Sequence, residues 1–300
     1  MKDNLVNRAI TALSGAGFDV LKFSRKSMGP LKLKVIPGVS LIQDGVCVQT
    51  MGVDVQNNKL VYDVAFHHPQ SSLDNSIVQR SSGETCDLVR YLGAADWRHA
   101  LSLTQEVIRA GKTSALNVGD FIMVKFDVPA ASYDGVNFPA RHIDAKAQII
   151  EVEDDKIIFN FDEIIFKSAI NAKDKNEGGF SASALAKYLN NEFLDAMGIS
   201  DVLLPNHDGL EISLLTAFEL FGDGECWAPE SNYQGEPHQI EYFKDEKNRV
   251  KSWEKETHWY WTSSVRASSS NNFCIVSGGG NSSSYDAYSV GGVAPAFCVA

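Results

Sequence analysis

Three apolar cores stand out between residues 258 and 299: His258-Trp-Tyr-Trp-Thr-Ser263, Phe273-Cys-Ile-Val276 and Val293-Ala-Pro-Ala-Phe-Cys-Val299. Each is short, aromatic or β-branched, and bounded by Ser, Gly or Asn, so each predicts a strand. Between them lie Arg266-Ala-Ser-Ser-Ser-Asn-Asn272 and Ser277-Gly-Gly-Gly-Asn-Ser-Ser-Ser-Tyr-Asp-Ala-Tyr-Ser289. Their small polar composition predicts loops. Across residues 262–300 the only charges are Arg266 and Asp286.

That neutrality contrasts with the rest of the chain. The 300 residues carry a net charge of −11. Residues 1–111 hold 12 Lys/Arg against 10 Asp/Glu, and residues 112–300 hold 15 against 28. So acidic a chain is not expected to bind nucleic acid through its phosphates. With 44% hydrophobic and 22% charged residues it is no disordered chain. No run of about 18 apolar residues occurs, so no membrane insertion is expected. The first residues lack the apolar stretch of a signal peptide, which predicts synthesis in the cytoplasm. Cys47, Cys86, Cys226, Cys274 and Cys298 are odd in number and form no Cys-x-x-Cys pair, so free thiols are expected.

Working outward, residues 3–14 have the spacing of a short amphipathic helix. Residues 31–66 read as a small antiparallel unit, with turns at Pro37-Gly38, Asp44-Gly45 and Asn57-Asn58. His67-His68 on a strand would point to opposite faces and chelate poorly. Residues 70–83 read as a loop. Residues 94–110 form a helix with Trp97, Leu101, Thr104 and Ile108 on one stripe and Gly111 as its stop. The domain boundary is placed after that helix, giving domains 1–111 and 112–300. The first, a small α+β unit, reads as an assembly or attachment domain.

The second domain opens with a strand at 121–126. A hairpin through 145–152 and 156–161 turns at Asp154-Asp155. Residues 180–197 predict a helix capped by Ser181 or Ser183, with Leu185, Leu189, Phe193 and Met197 recurring every four residues. Residues 212–221 predict a further short helix, with Thr216 a candidate cap. The dense aromatics from Trp227 to Trp261 predict loops pinned to a core.

The closing pieces Trp259-Tyr-Trp-Thr-Ser-Ser264, Phe273-Cys-Ile-Val-Ser-Gly-Gly279 and Gly292-Val-Ala-Pro-Ala-Phe-Cys298 resemble a known pattern. So do Val118-Gly119-Asp120, Ile149-Ile150, Ser183-Ala-Leu-Ala-Lys-Tyr-Leu-Asn-Asn-Glu-Phe193 and Leu214-Leu-Thr-Ala-Phe-Glu219. Together, in this order over about residues 116–300, they resemble C-type-lectin-like domains of the formylglycine-generating-enzyme type. Ala294 departs from the pattern, which usually has Arg there. The resemblance implies an α+β chain with a C-terminal C-type-lectin-like fold.

The same subfamily includes variable proteins of diversity-generating retroelements, such as phage tropism determinants. In these, adenines in the codons at the 3′ end of the gene are diversified. The resemblance therefore implies a variable region at about residues 262–298 and a phage virion as carrier. The implied ligand-binding residues are Arg266, Ser268, Ser269, Asn271, Asn272, Asn281, Ser282, Ser284, Tyr285, Asp286 and Tyr288. Adaptable binding surfaces use this chemistry: Tyr supplies contact area, and Ser, Gly and Asn supply flexible hydrogen bonding. The implied function is non-catalytic recognition of a cell-surface protein or glycan, with trimer formation raising avidity. A plain, non-variable lectin-like module or a phage structural protein is the alternative.

Catalysis is not expected. The oxidase branch of the resemblance uses paired cysteines, and Cys274 and Cys298 are candidates for neighbouring strands. Their apolar contexts argue against reactive thiols. No cofactor and no metal are expected: His142, His207, His238 and His258 are scattered, and Asn206-His207-Asp208 lacks the rest of a calcium loop.

Overall fold

The computed structural model describes residues 41–43, 46–48, 53–56, 59–62, 85–224, 227 and 237–300. The chain divides into two compact units, Met1–Asn75 and Ser76–Ala300. The expected helix at 3–14, the loop at 70–83, His67, His68 and Cys226 lie outside the described residues.

In the first unit two antiparallel pairs are described. β1 (Leu41–Gln43) pairs β2 (Val46–Val48), and β3 (Val53–Gln56) pairs β4 (Lys59–Tyr62). The expected turns at Asp44-Gly45 and Asn57-Asn58 lie outside the described residues.

The second unit is a mixed α+β body built on mainly antiparallel sheets. It includes α1 (Leu88–Tyr91) and α2 (Trp97–Arg109). The sequence reading placed that long helix in the first domain; it packs instead with the unit Ser76–Ala300. Its stripe of Trp97, Leu101, Thr104 and Ile108 is buried as expected. Asp96 caps it by accepting from the His99 amide, and Gln105 Nε2 donates to the Ala300 carbonyl at 2.6 Å.

One five-stranded sheet has the order β11-β18-β9-β8-β5. Its members are β5 (Phe121–Val128), β8 (Arg141–Val152), β9 (Ile157–Phe161), β11 (Ile212–Ser213) and β18 (Ala296–Val299). A small hairpin of β6 (Ala131–Tyr133) and β7 (Val136–Phe138) links β5 to β8. Strand β5 alternates strictly, with Ile122, Val124, Phe126 and Val128 inward, as a half-buried strand must. Central β9 is buried at every position because strands flank it and both faces are covered. The hairpin around Asp154-Asp155 forms as expected.

The expected helix over 180–197 is α3 (Ala184–Tyr188), a π-type turn (Leu189–Phe193) and α4 (Leu194–Met197). Ser183 caps it, its Oγ accepting from the Ala186 amide at 3.1 Å. Phe193 lies at the centre of an aromatic cluster with Phe126, Phe161, Phe166 and Tyr188.

The other five-stranded sheet has the order β10-β17-β14-β15-β16. β10 is Phe166–Ser168, β14 is Tyr260–Val265, β15 is Asn272–Val276, β16 is Ser282–Asp286 and β17 is Gly291–Val293. A two-stranded ribbon of β12 (Lys251–Trp253) and β13 (Glu256–His258) leads into β14.

Two local expectations change. Residues 212–221 are not one helix: Ile212 and Ser213 pair with Phe297 and Ala296, and only α5 (Ala217–Phe221) is helical. The Thr216 capping box explains the late start. Its hydroxyl accepts from the Glu219 amide, and the Glu219 carboxylate accepts from the Thr216 amide. The second change is β16, read from sequence as loop. Its serines have little strand preference of their own. Pairing with β15 at five consecutive positions imposes the extended form.

Candidate functional site

The closing segment builds an exposed surface on the edge strand β16. The turn before it depends on Gly280, whose φ is +82° and whose added Cβ would stand 2.8 Å from the Glu246 carbonyl. The Ser277 amide donates to the Asn281 carbonyl at 2.7 Å, closing the turn. Register then assigns faces. Asn272, Cys274 and Val276 lie opposite Asp286, Ser284 and Ser282, while Phe273 and Ile275 lie opposite Tyr285 and Ser283. Directly paired residues share a face, so the two sets point opposite ways.

On the first face, Arg266 Nη1 donates to Ser284 Oγ at 2.7 Å. Arg266, Ser282 and Ser284 line a shallow cavity of about 280 Å³ whose floor is Trp227 and Cys274. Trp227 is fixed by its Nε1 donating to the Gly222 carbonyl and by contact with Phe221.

On the second face, Tyr285 stacks on Trp259 with ring centres 4.6 Å apart and planes inclined by 24°. Trp259 meets Trp261 edge-on at 5.0 Å. Trp261 is buried, and its Nε1 donates to the Ser168 carbonyl at 2.9 Å. Gly291 makes room for this stack: a Cβ there would lie 2.2 Å from the Trp259 ring. Tyr285 is 46% exposed, Tyr288 52% and Val290 62%.

Most of the remaining expected binding residues serve the 266–272 turn. Ser268 takes a left-handed conformation with φ of 62°. Ser269 Oγ accepts from the Asn272 amide and donates to Asn271 Oδ1. Asn271 Nδ2 donates to Asp174 and to Asp286. Asn176 Nδ2 donates to the carbonyls of Ser269 and Asn272. Asn281 sits exposed at the hairpin turn. Thus Arg266, Ser282 and Ser284 gather on one face and Tyr285 on the other, while Ser269, Asn271, Asn272 and Asp286 serve the turn. Trp227 and Trp259, the walls behind these side chains, were not among the expected site residues. Their signal was aromatic density, which does not distinguish a wall from a core.

A second cavity, about 310 Å³, lies beside the Asn206-His207-Asp208 turn and the end of β14. Asn206 Oδ1 already accepts from the Asp208 and Leu210 amides, so it serves the turn. Ser263 Oγ in this cavity wall is buried and has no hydrogen-bond partner.

The cysteines do not make a pair. Cys274 is on β15 and Cys298 on β18, in different sheets and different core clusters. The expectation of neighbouring strands is therefore corrected: the Pro295 segment carries the chain from one sheet to the other between β17 and β18. Both thiols are buried. Burial pushes the Cys298 thiol far above its ordinary range, which suppresses the thiolate.

Residues 210–300 match a protein family described as "Domain of unknown function (DUF6273)". The matched stretch runs from β11 through β18 and so contains the whole β16 surface. No curated protein and no solved structure matches the chain.

Proposed function

We propose that the Ser76–Ala300 unit is a C-type-lectin-like domain of the formylglycine-generating-enzyme type that recognises a ligand without catalysis. The contact surface is β16 and the turn after it, with Arg266, Ser282, Ser284, Tyr285 and Tyr288 as the touching residues. The observation that carries the reading is the Tyr285–Trp259 stack: an exposed aromatic on an edge strand whose one charge is Asp286, backed by a buried sheet. Large half-exposed aromatics on a rigid base dominate binding energetics elsewhere. Depletion of charge at residues 262–300 suits the centre of an interface. The ligand class is a cell-surface protein or glycan.

The finer reading is that a retroelement diversifies codons 262–298 in a phage tail protein. Side chains at Ser282, Ser283, Ser284, Tyr285 and Tyr288 can vary while the backbone ladder to β15 holds the strand. The test is the DNA beside the gene. A reverse-transcriptase gene and a near-identical repeat of these codons, differing at adenines, are expected. A neighbourhood without such a repeat sinks diversification and leaves a fixed binding module. For binding itself, the Tyr285→Ala, Tyr288→Ala double variant should lose adhesion to host cells while keeping its circular dichroism spectrum. Loss of the folded spectrum would reassign both rings to the core.

A further inference from the structure

Away from the β16 surface, at the end of β8, we propose a site for a first-row divalent cation such as Zn²⁺, formed by Glu151, Glu153 and His238. One ligand atom from each lies within 4.8 Å of the other two. A tetrahedral zinc site with bonds of about 2.0–2.2 Å places its ligand atoms about 3.3–3.6 Å apart, so small side-chain rotations close the geometry. Backbone features aim the carboxylates. Glu151 and Glu153 are two apart at the strand end and point the same way. A β-bulge between Ile149 and Glu151 re-aims that end, a common device beside functional sites.

The present contacts leave one buried acceptor unmet. His238 Nε2 lies 2.6 Å from Glu151 Oε1. Glu151 Oε2 is buried and has no hydrogen-bond partner, although the whole side chain is only 16% exposed. Leaving a buried carboxylate oxygen unmet is costly, and a bound cation would satisfy it. Glu153 spends one oxygen on Lys156 at 3.1 Å, and its other oxygen remains for an ion. Lys156 offsets one of the two carboxylate charges, so the site suits a divalent ion held by few protein ligands. One imidazole with two carboxylates favours zinc-like ions over calcium or magnesium, which take all-oxygen shells. Cys298 is no fourth ligand. It lies in the same row as Ile158 and Glu151, two strands away from Glu151, which is about 9.6 Å at ordinary strand spacing. Water would fill the remaining position. Binding would clip the 237–240 segment to β8, beside the existing bond from the Ile240 amide to the Glu219 carbonyl.

The test is titration calorimetry of the full chain, stripped with chelator, against zinc chloride. One ion per chain is expected, with a rise in melting temperature on loading. His238→Ala and Glu151→Gln should each weaken uptake about tenfold or more, equal to about 1.4 kcal/mol. Excess calcium should not displace the zinc. His238 is half exposed, so its variant remains foldable even if Glu151→Gln is not. Absence of saturable uptake, or uptake untouched by His238→Ala, overturns the proposal and leaves an ordinary His238–Glu151 ion pair.

Discussion

In the sheet ending at β5, the edge strand buries Ile122, Val124, Phe126 and Val128 and shows Met123, Lys125 and Asp127 to solvent. In the sheet ending at β16, all five residues of the edge strand are exposed or half-buried. The first edge is fixed by its own side chains: Phe126 meets Trp97 at 5.9 Å and Phe193 at 5.2 Å. The second is fixed by its backbone ladder to β15 and by the Gly280 turn. A strand held this way can change side chains at small cost. The contrast separates a part of the molecule that specifies the fold from a part available for recognition.

The largest effect should come from breaking the buried sheet. Phe297 is fully buried and stacks on Phe159 at 5.3 Å. Phe297→Ala should cost about 3–5 kcal/mol, read as a drop in the denaturation midpoint. Next comes the cap of α5. Thr216→Ala removes the box that satisfies the buried Glu219 carboxylate and should cost about 1–2 kcal/mol in the same assay.

A third test uses pH. Lys251 is buried with its Nζ near the Phe161 carbonyl, and desolvation pushes its pKa down to about 8 from 10.5. The unfolded chain holds that proton to higher pH than the folded chain does. Lys251 should therefore add a rise in stability between about pH 8 and 10, opposed there by the buried Cys298 thiol and Tyr260, which ionise first in the unfolded chain. Lys251→Met should flatten that rise, and an equal slope in both proteins would refute the assignment. The smallest effect on stability belongs to the display edge. Tyr285→Ala removes one aromatic stack and should cost about 1 kcal/mol or less, while ligand binding is lost.

Much of the fold was legible in local patterns. The period of two in β5, the Asp154-Asp155 hairpin and the Ser183 and Thr216 caps all act over a few residues. What escaped is set by partners distant in sequence. Ser282–Asp286 has a loop's composition and becomes a strand only beside β15. Which face Tyr285 or Ser284 occupies follows from register, which composition does not carry. Cys274 and Cys298 sit in similar apolar runs yet fall in separate sheets because the chain crosses between them. Glu151 and His238 meet across 87 residues, with no motif spacing to announce them. The candidate surface was legible as a stretch poor in charge, while its split into two faces and its Trp walls were not.

The central claim is that β16 displays side chains the fold does not need. Saturation substitution across residues 157–161 and 282–288, sorted for folded protein, tests it most directly. Ser282, Ser283, Ser284, Tyr285 and Tyr288 should accept most residues. Buried Ala287, whose carbonyl accepts from the Ile170 and Asn171 amides, should be as restrictive as Phe159. If Tyr285 and Tyr288 prove as intolerant as Phe159, the edge is core and the account is contradicted.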